Sequence, residues 1–512
     1  MAATQEVDRA ATEDYGIPSL VLMENAAIGL ADAVGERFPE AESVTIFCGP
    51  GNNGGDGLAL GRHLAIRGYG VRLFVVAGGR ELAGDAGAQL AICRKQGLAI
   101  DEVGPDDDLA DAVAAARESD LVVDALFGTG LGRPLEGQYA ELVERLDALP
   151  VRRLAVDLPS GLNGDRADVF GPAIAADLTV TFAAPKPAHI FPPAAERVEE
   201  VVVVDLGVPR RLIDGAPGDL HLLVEEELAG VLPPRPPDSH KGDYGHVLIV
   251  AGAPGKSGAA VLAARAAVRA GAGLVTAAVP APILAAVDAG SIESMTVALT
   301  SGEGGEIAAA AVAELRAAAD GKDVAAVGPG LGQRAETAAA IRAFVTDCPL
   351  PLVLDADGVN AFAGRAGELA GRPAGTATVL TPHPGELARL LGLGVAEVQA
   401  DRVAAARRAA AECAALVVLK GHRSLVATPS GAVYVSPTGN AGMATGGSGD
   451  VLTGTLAALL AQLDDPLTAV QLGVFAHGLA GDLAAAERGE VGLAAGDLVT
   501  ALPAALRRLG GG

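Results

Sequence analysis

Cations are scarce in this chain. Its 512 residues carry 38 Lys and Arg against 63 Asp and Glu, a formal net charge of −25, and only six of the cations are lysines. A field of that sign repels polyanions, which argues against nucleic acid and anionic membrane surfaces and requires any phosphate ligand to be held locally. Lys186, Lys241, Lys256 and Lys420 stand beside Gly or Pro, in segments that a ligand can approach, and lysine is a common phosphate partner. The plainer alternative is a coding bias that replaced surface lysine by arginine. Cysteine is just as sparse. Cys48, Cys93, Cys348 and Cys413 show no CxxC spacing and no nearby histidine pattern, so core thiols in a reducing compartment are expected, not disulfides or zinc ligands. No stretch is apolar for the ~20 residues of a membrane span. The first residues include Glu6, Asp8, Glu13 and Asp14 where a targeting signal would be basic and then apolar. A cytoplasmic protein is expected, without nucleic-acid or membrane partners.

Glycine, by contrast, is abundant, with 68 residues, and half of the chain is hydrophobic, as a folded chain of two or three domains requires. The nine residues Gly49–Gly57 contain five glycines, Asn52, Asn53 and Asp56, directly after the apolar run Val44–Cys48. Such density lets the backbone take positive φ and expose consecutive N–H groups, with Leu58–Ala65 reading as the helix that follows: an anion site. A tight strand-to-helix turn is the bland alternative, but a turn rarely needs two Asn and an Asp. Up to about residue 212, strand-like runs (Val44–Cys48, Val71–Ala77, Leu121–Leu126, Leu154–Leu158, Leu178–Phe182, Val201–Leu206) alternate with alanine-rich helical segments. That alternation predicts a parallel sheet covered on both faces, with ligands at the carboxyl ends of its strands. Gly49–Gly57, Phe127–Arg133 and Asp157–Gly161 all follow or end such strands.

Gly215–Gly218 and Pro233–Pro237 then break both periodicities, placing a boundary near residue 213 and giving domains of 1–212 and 213–512. The alternation resumes with Val247–Ala251, Leu274–Val279, Val324–Val327, Leu352–Asp355, Thr378–Leu380, Leu416–Leu419 and Ala432–Val435. In this half Thr445–Asp450 leads into the apolar helix Val451–Leu463. Its amides could stabilise a transferring phosphoryl group while Asp450 accepts a proton from the attacking hydroxyl. Ser239–His246, Gly328–Gly332, Thr381–Glu386 and Lys420–Ser424 lie at strand ends around it, the last offering two cations and a hydroxyl to nucleotide phosphates. His240 and His383 could equally be ordinary turn histidines.

Taken together, these strings resemble the bifunctional NAD(P)H-hydrate repair enzymes. The resemblance rests on Leu22–Ala26, Gly49–Gly57, Asp124–Gly130 and Asp157–Gly161 in the first half. In the second it rests on Ser239–Gly242, Gly328–Gly332, Leu380–Glu386, Lys420–Gly421 and Ala444–Leu452. It implies an α/β protein with an N-terminal Rossmann-like three-layer epimerase domain and a C-terminal ribokinase-like α/β dehydratase domain. Reduced nicotinamide cofactors hydrate at C6 to R and S forms; the first activity interconverts them, and the second phosphorylates the C6 hydroxyl of the S form so that phosphate can leave. The implied substrates are NADHX and NADPHX, with ADP as phosphoryl donor, and a homo-oligomer is expected.

The resemblance also implies residue roles. Asn52, Asn53, Gly54, Gly55 and Asp56, with Gly128, Thr129, Gly130, Leu131, Gly132 and Arg133, would hold the hydrate in the epimerase, and Asp157 its nicotinamide end. Asn53, Asp124 and Ser160 would hold a potassium ion, a hard cation that oxygen ligands suit. Asp157 is the expected acid/base, although Asp157 and Asp124 could exchange the roles of proton carrier and cation ligand, and Lys186 is a further candidate. In the dehydratase, Ala259, Gly330, His383 and Asp450 would contact the hydrate, with Asp450 as base, while Lys420, Gly421, His422, Arg423, Ser424 and Gly449 face the nucleotide and Mg²⁺ bridges the phosphates. The alternative is a ribokinase-like small-molecule kinase fused to a non-catalytic NAD-sensing or partner-binding domain.

Overall fold

A computed structural model describes residues 2–510. It divides into two compact units, one ending at Gly218 and the other beginning at Asp219. In the first, strands β1 (Ser43–Cys48), β2 (Gly70–Val75), β3 (Ala99–Glu102), β4 (Leu121–Ala125), β5 (Arg152–Val156), β6 (Ala176–Phe182) and β7 (Val198–Val204) form one sheet in the order β3-β2-β1-β4-β5-β6-β7. Every pairing is parallel. Apolar clusters cover both faces, one containing Leu30, Leu58 and Leu90 and the other Leu109, Leu142 and Leu146, which makes three layers. Chain order reverses between β1 and β4, so the crevice beyond their carboxyl ends is where such a sheet receives a ligand.

The second unit carries ten strands: β8 (Leu220–Leu222), β9 (His246–Val250), β10 (Leu274–Pro280), β11 (Met295–Leu299), β12 (Val324–Val327), β13 (Leu352–Leu354), β14 (Thr378–Leu380), β15 (Leu416–Leu419), β16 (Leu425–Ala427) and β17 (Val433–Val435). Their order is β11-β10-β9-β12-β13-β14-β15-β16-β17-β8. From β11 through β15 all neighbours are parallel, whereas β16 pairs antiparallel on both sides. Four strands, β3, β8, β11 and β16, escape the periodicity reading. β3, β8 and β11 sit at sheet edges and mix polar with apolar residues, and β16 is only three residues long.

Both glycine strings are corrected by the structure. The helix after β1 spans Asn52–Ile66, so Asn52–Gly57 are its first turns and not the preceding loop, and no glycine between 49 and 57 has positive φ. These glycines are there for close approach. A Cβ on Gly49 would lie 1.8 Å from the Leu126 carbonyl oxygen, one on Gly54 2.0 Å from that of Gly49, and one on Gly57 2.5 Å from Ala125 Cβ. The helix N-terminus is thereby seated directly on the ends of β1 and β4. In the second unit the helix spans Ser448–Leu460, beginning three residues before Val451, and Gly447 at φ 98° supplies the left-handed turn before it.

The expectation about apolar stretches also needs correcting. The 23-residue helix Pro466–Arg488 is long and apolar enough to cross a membrane, with mean hydropathy 1.2, but 67% of that segment is buried inside the second unit. Its Leu472, Phe475 and Leu479 belong to the same core as helices Ser257–Arg269 and Ser448–Leu460. The last two touch backbone to backbone: a Cβ on Gly454 would stand 2.0 Å from the Ala263 carbonyl oxygen. Gly454→Ala is therefore expected to destabilise the second unit by about 1–3 kcal/mol. Gly496→Ala, in helix Ala495–Arg508 with nothing within 4 Å of the new methyl, should be neutral or mildly stabilising. Urea unfolding of the two variants checks the contrast.

Candidate active sites

In the first unit, a cavity of about 490 Å³ opens beyond β1, β4 and β5. Asn52, Asn53 and Asp56 reach it from the helix N-terminus, Gly128–Leu131 from the loop after β4, and Asp157 from the turn after β5. Asp157 holds a left-handed backbone, φ 63°, uncommon for a non-glycine residue. Its Oδ1 accepts from Lys186 Nζ at 2.7 Å and Thr181 Oγ1 at 2.9 Å, and its Oδ2 from the Thr129 N–H at 3.3 Å. Lys186 is itself 4% exposed and donates also to Thr181 Oγ1 and the Phe182 carbonyl. Burial would raise the Asp157 carboxyl, but the adjacent ammonium and these donors hold it below the ordinary aspartate value. Burial and the Lys186 charge push the neighbouring His189 imidazole down to about 4.

Asp124 lies beneath this floor. Its two oxygens accept from Ser160 Oγ at 2.6 Å and the Ser160 N–H at 2.7 Å, and burial lifts it to about 6. Ser160 Oγ is also 3.2 Å from the Phe127 carbonyl oxygen. Carboxylate, hydroxyl and carbonyl oxygens thus converge, a donor set suited to a hard cation, whose charge would favour the ionised Asp124. Asn53 Nδ2 is buried without a hydrogen-bond partner. Among the described residues no three His, Cys, Asp or Glu side chains cluster with metal-ligand spacing.

The second site is built at the ends of β13, β14 and β15. Asp355, 1% exposed, accepts from Lys420 Nζ at 2.6 Å and Thr381 Oγ1 at 2.7 Å on one oxygen, and from Thr453 Oγ1 at 2.8 Å on the other. Lys420 Nζ is also 3.8 Å from Glu386. Burial opposes the Lys420 charge, yet Asp355 and Glu386 outweigh it and hold the ammonium above the usual lysine value. Asp450 sits in the first turn of helix Ser448–Leu460, where burial and the Asp355 charge raise its carboxyl to about 7 against the opposing Lys420 charge. On the far side of Lys420 and Gly449 a cavity of about 400 Å³ is walled by Gly421–Ser424, Thr438–Ala441 and His477.

The family model described as NAD(P)H-hydrate dehydratase matches residues 247–504, and that described as YjeF-related protein N-terminus matches residues 19–188. The bifunctional NAD(P)H-hydrate repair enzyme Nnr of Moorella thermoacetica is 42% identical over 98% of this chain and 95% of its own length. That of Thermofilum pendens is 42% identical over the same shares. The chain belongs to the bifunctional NAD(P)H-hydrate repair enzymes. A solved structure of the ADP/ATP-dependent NAD(P)H-hydrate dehydratase from Bacillus subtilis, co-crystallised with ATP/Mg²⁺, is 32% identical, covers 57% of this chain and 100% of its own, and has a TM-score of 0.49.

Within this repair enzyme the expected residues fall into distinct places. Asn52, Asn53, Asp56, Gly128, Thr129, Gly130, Leu131 and Asp157 line the first cavity; Gly54 and Gly55 are buried packing positions, and Gly132 and Arg133 lie on the surface outside the lining. Lys420, Gly421, His422, Arg423, Ser424 and Gly449 all line the second cavity, although Arg423 commits its guanidinium to the Pro437 carbonyl. Asp450, Ala259, Gly330 and His383 lie outside that lining. Ala259 Cβ is 3.0 Å from where a Gly330 Cβ would stand, and His383 contacts Glu386 at 3.3 Å.

Sequence reasoning missed Asp355 and Thr453 in the second site, where it had placed the loop holding Thr381 and Glu386 without singling either out, and it missed Thr181 and His189 in the first. A charged residue closing the apolar run Leu352–Asp355 was the available signal for Asp355. Nothing in the apolar helix around Thr453 announces its hydroxyl. Lys186→Met, which leaves Asp157 buried and unpaired, is expected to destabilise the first unit by about 3–5 kcal/mol at neutral pH. Urea unfolding should show that deficit narrowing as the pH falls and the orphaned carboxyl takes up a proton.

Proposed function

We propose that the first unit equilibrates the R and S hydrates of NADH and NADPH, and that the second converts the S form back to the reduced cofactor with ADP as phosphoryl donor. The observation that carries this reading is Asp450, a carboxyl near pKa 7 at a helix N-terminus, beside a lysine that opens onto a nucleotide-sized cavity. A base with that acidity is ionised often enough at neutral pH to take the C6 hydroxyl proton. The freed oxygen attacks the terminal phosphorus of ADP and AMP leaves. The C6–O bond then breaks with its electron pair on phosphate, and loss of a C5 proton restores the ring double bond. Gly449 and Asp450, in the first turn of the helix, present N–H groups to the phosphoryl oxygens, and Lys420 adds a cation. Mg²⁺ carried with the nucleotide would neutralise phosphate charge. In the first unit Asp157 moves the proton, and Asn53, Asp124 and Ser160 hold K⁺. The acidic chain with buried thiols suits the cytoplasm.

Purified protein with ADP and Mg²⁺ should restore the absorbance of the reduced cofactor from a mixture of both hydrates. Recovery of only the S fraction would contradict the epimerase, and an accumulating phosphorylated hydrate would make the second unit a kinase. Asp450→Asn should abolish recovery yet leave R/S equilibration intact, as chromatography of the epimers can follow; loss of both would contradict the assignment.

Because the base must be ionised, dehydration of the S hydrate should slow about tenfold per pH unit below 7 and level off above it. A rate independent of pH between about 5.5 and 8 would exclude Asp450 from that role.

A further inference from the structure

The helix Ala2–Glu13 carries Thr4, Asp8 and Thr12 at intervals of four, on one face, and all three line the first cavity. Val7, Ala10 and Ala11, along the adjoining side of the helix, are buried in the first unit. Arg9 pairs with Glu6 at 2.6 Å and Glu13 at 2.7 Å on the outer surface. The helix is therefore anchored by its apolar side and turns a polar side over the cavity, with Asp8 in the middle.

We propose that Asp8 is a second catalytic proton carrier of the epimerisation site, working across the cavity from Asp157 with C6 of the hydrate between them. The proposal rests on the reading of the first unit as the epimerase. Inversion at C6 by loss and return of water takes oxygen off one face and adds it to the other, so one group gives a proton while another takes one. Asp157 stands on the strand-end wall and Asp8 on the helix wall. The other charged side chains on this cavity are Asp56, from helix Asn52–Ile66, and Asp85, from helix Gly84–Lys95, with Lys186 behind Asp157.

The chemistry balances. The Asp8 carboxyl gives its proton to the C6 hydroxyl, the C6–O bond breaks, and water departs as the N1 lone pair forms a C6=N1 iminium. A water on the opposite face attacks C6 while Asp157 takes its proton, and the iminium electrons return to N1. One water leaves and one enters, one proton is given and one taken, and the reverse epimerisation exchanges the roles of the two carboxyls. Their surroundings separate them as this division requires. Desolvation on its cavity side raises Asp8, with the Asp157 charge adding to the effect and Lys186 opposing it, whereas Lys186 keeps Asp157 ionised despite its burial.

The test is R/S equilibration by the full-length protein and by Asp8→Asn, in H₂¹⁸O across pH, with Arg9→Gln as a control for a loosened helix. Asp8→Asn should lower kcat for equilibration by about 10²-fold with KM changed less than about twofold. It should also remove the alkaline limb of the pH profile, while Arg9→Gln keeps both rate and profile. In the wild type ¹⁸O should enter the C6 hydroxyl at the rate of equilibration. A wild-type rate in Asp8→Asn, a slower rate with both pH limbs kept, an equal loss in Arg9→Gln, or equilibration without ¹⁸O uptake would overturn the proposal. A wild-type protein that does not equilibrate the epimers would instead overturn the epimerase reading itself.

Discussion

A buried carboxylate clamped to a lysine just beyond a strand end organises each unit. Asp157–Lys186 does so in the first and Asp355–Lys420 in the second, at 2.7 and 2.6 Å. Breaking such a pair strands a charge in the interior, so the elements that carry its members are fixed relative to one another. Asp355 ties β13 to the Thr381 loop, the Lys420 loop and helix Ser448–Leu460 through three donors. Asp157 ties the turn after β5 to Thr181 of β6 and to Lys186. In a chain with only six lysines, two are committed to these pairs.

These pairs also set the acidity of their neighbours. Burial raises a neighbouring carboxyl, and the charge of such an aspartate adds to the effect. Asp450 rises to about 7 beside Asp355 in this way. Asp56 rises well above the ordinary aspartate value, through burial first and then the charges of Asp157 and Asp8. The raised Asp450 is thereby a carboxyl that can exchange a proton near neutral pH, an arrangement that stability alone would not select. The second cavity is lined by a lysine, Lys420, beside the N-terminus of helix Ser448–Leu460, whereas Lys186 in the first unit lies behind Asp157, so the same physics can serve two different reactions.

Much of this was legible in the sequence because the signals were local. Long apolar runs gave the central strands of both sheets, and the Gly-Asp strings lay where the sites are. The physical reason assigned to Gly49–Gly57 was nevertheless different from the one observed: these glycines admit a helix onto two strand ends and do not bend the chain. Short edge strands such as β3 and β8 carry too few residues to establish a period. The partnership of Thr453 with Asp355, 98 residues apart, left no trace, whereas Lys186, 29 residues from Asp157, was expected at the same site only through the resemblance. Asp8 read only as part of an acidic N-terminus, since nothing local shows which cavity a helix face covers.

The central claim is that a lysine-held aspartate leaves its neighbour poised near neutrality. It is tested most directly by titrating the Asp450 carboxyl by ¹³C NMR in the full-length protein, assigned by difference from Asp450→Asn. An inflection near 7, moving higher in Lys420→Met as the cation that opposes it is removed, is the predicted result. An inflection near the ordinary aspartate value of about 4 would contradict the account.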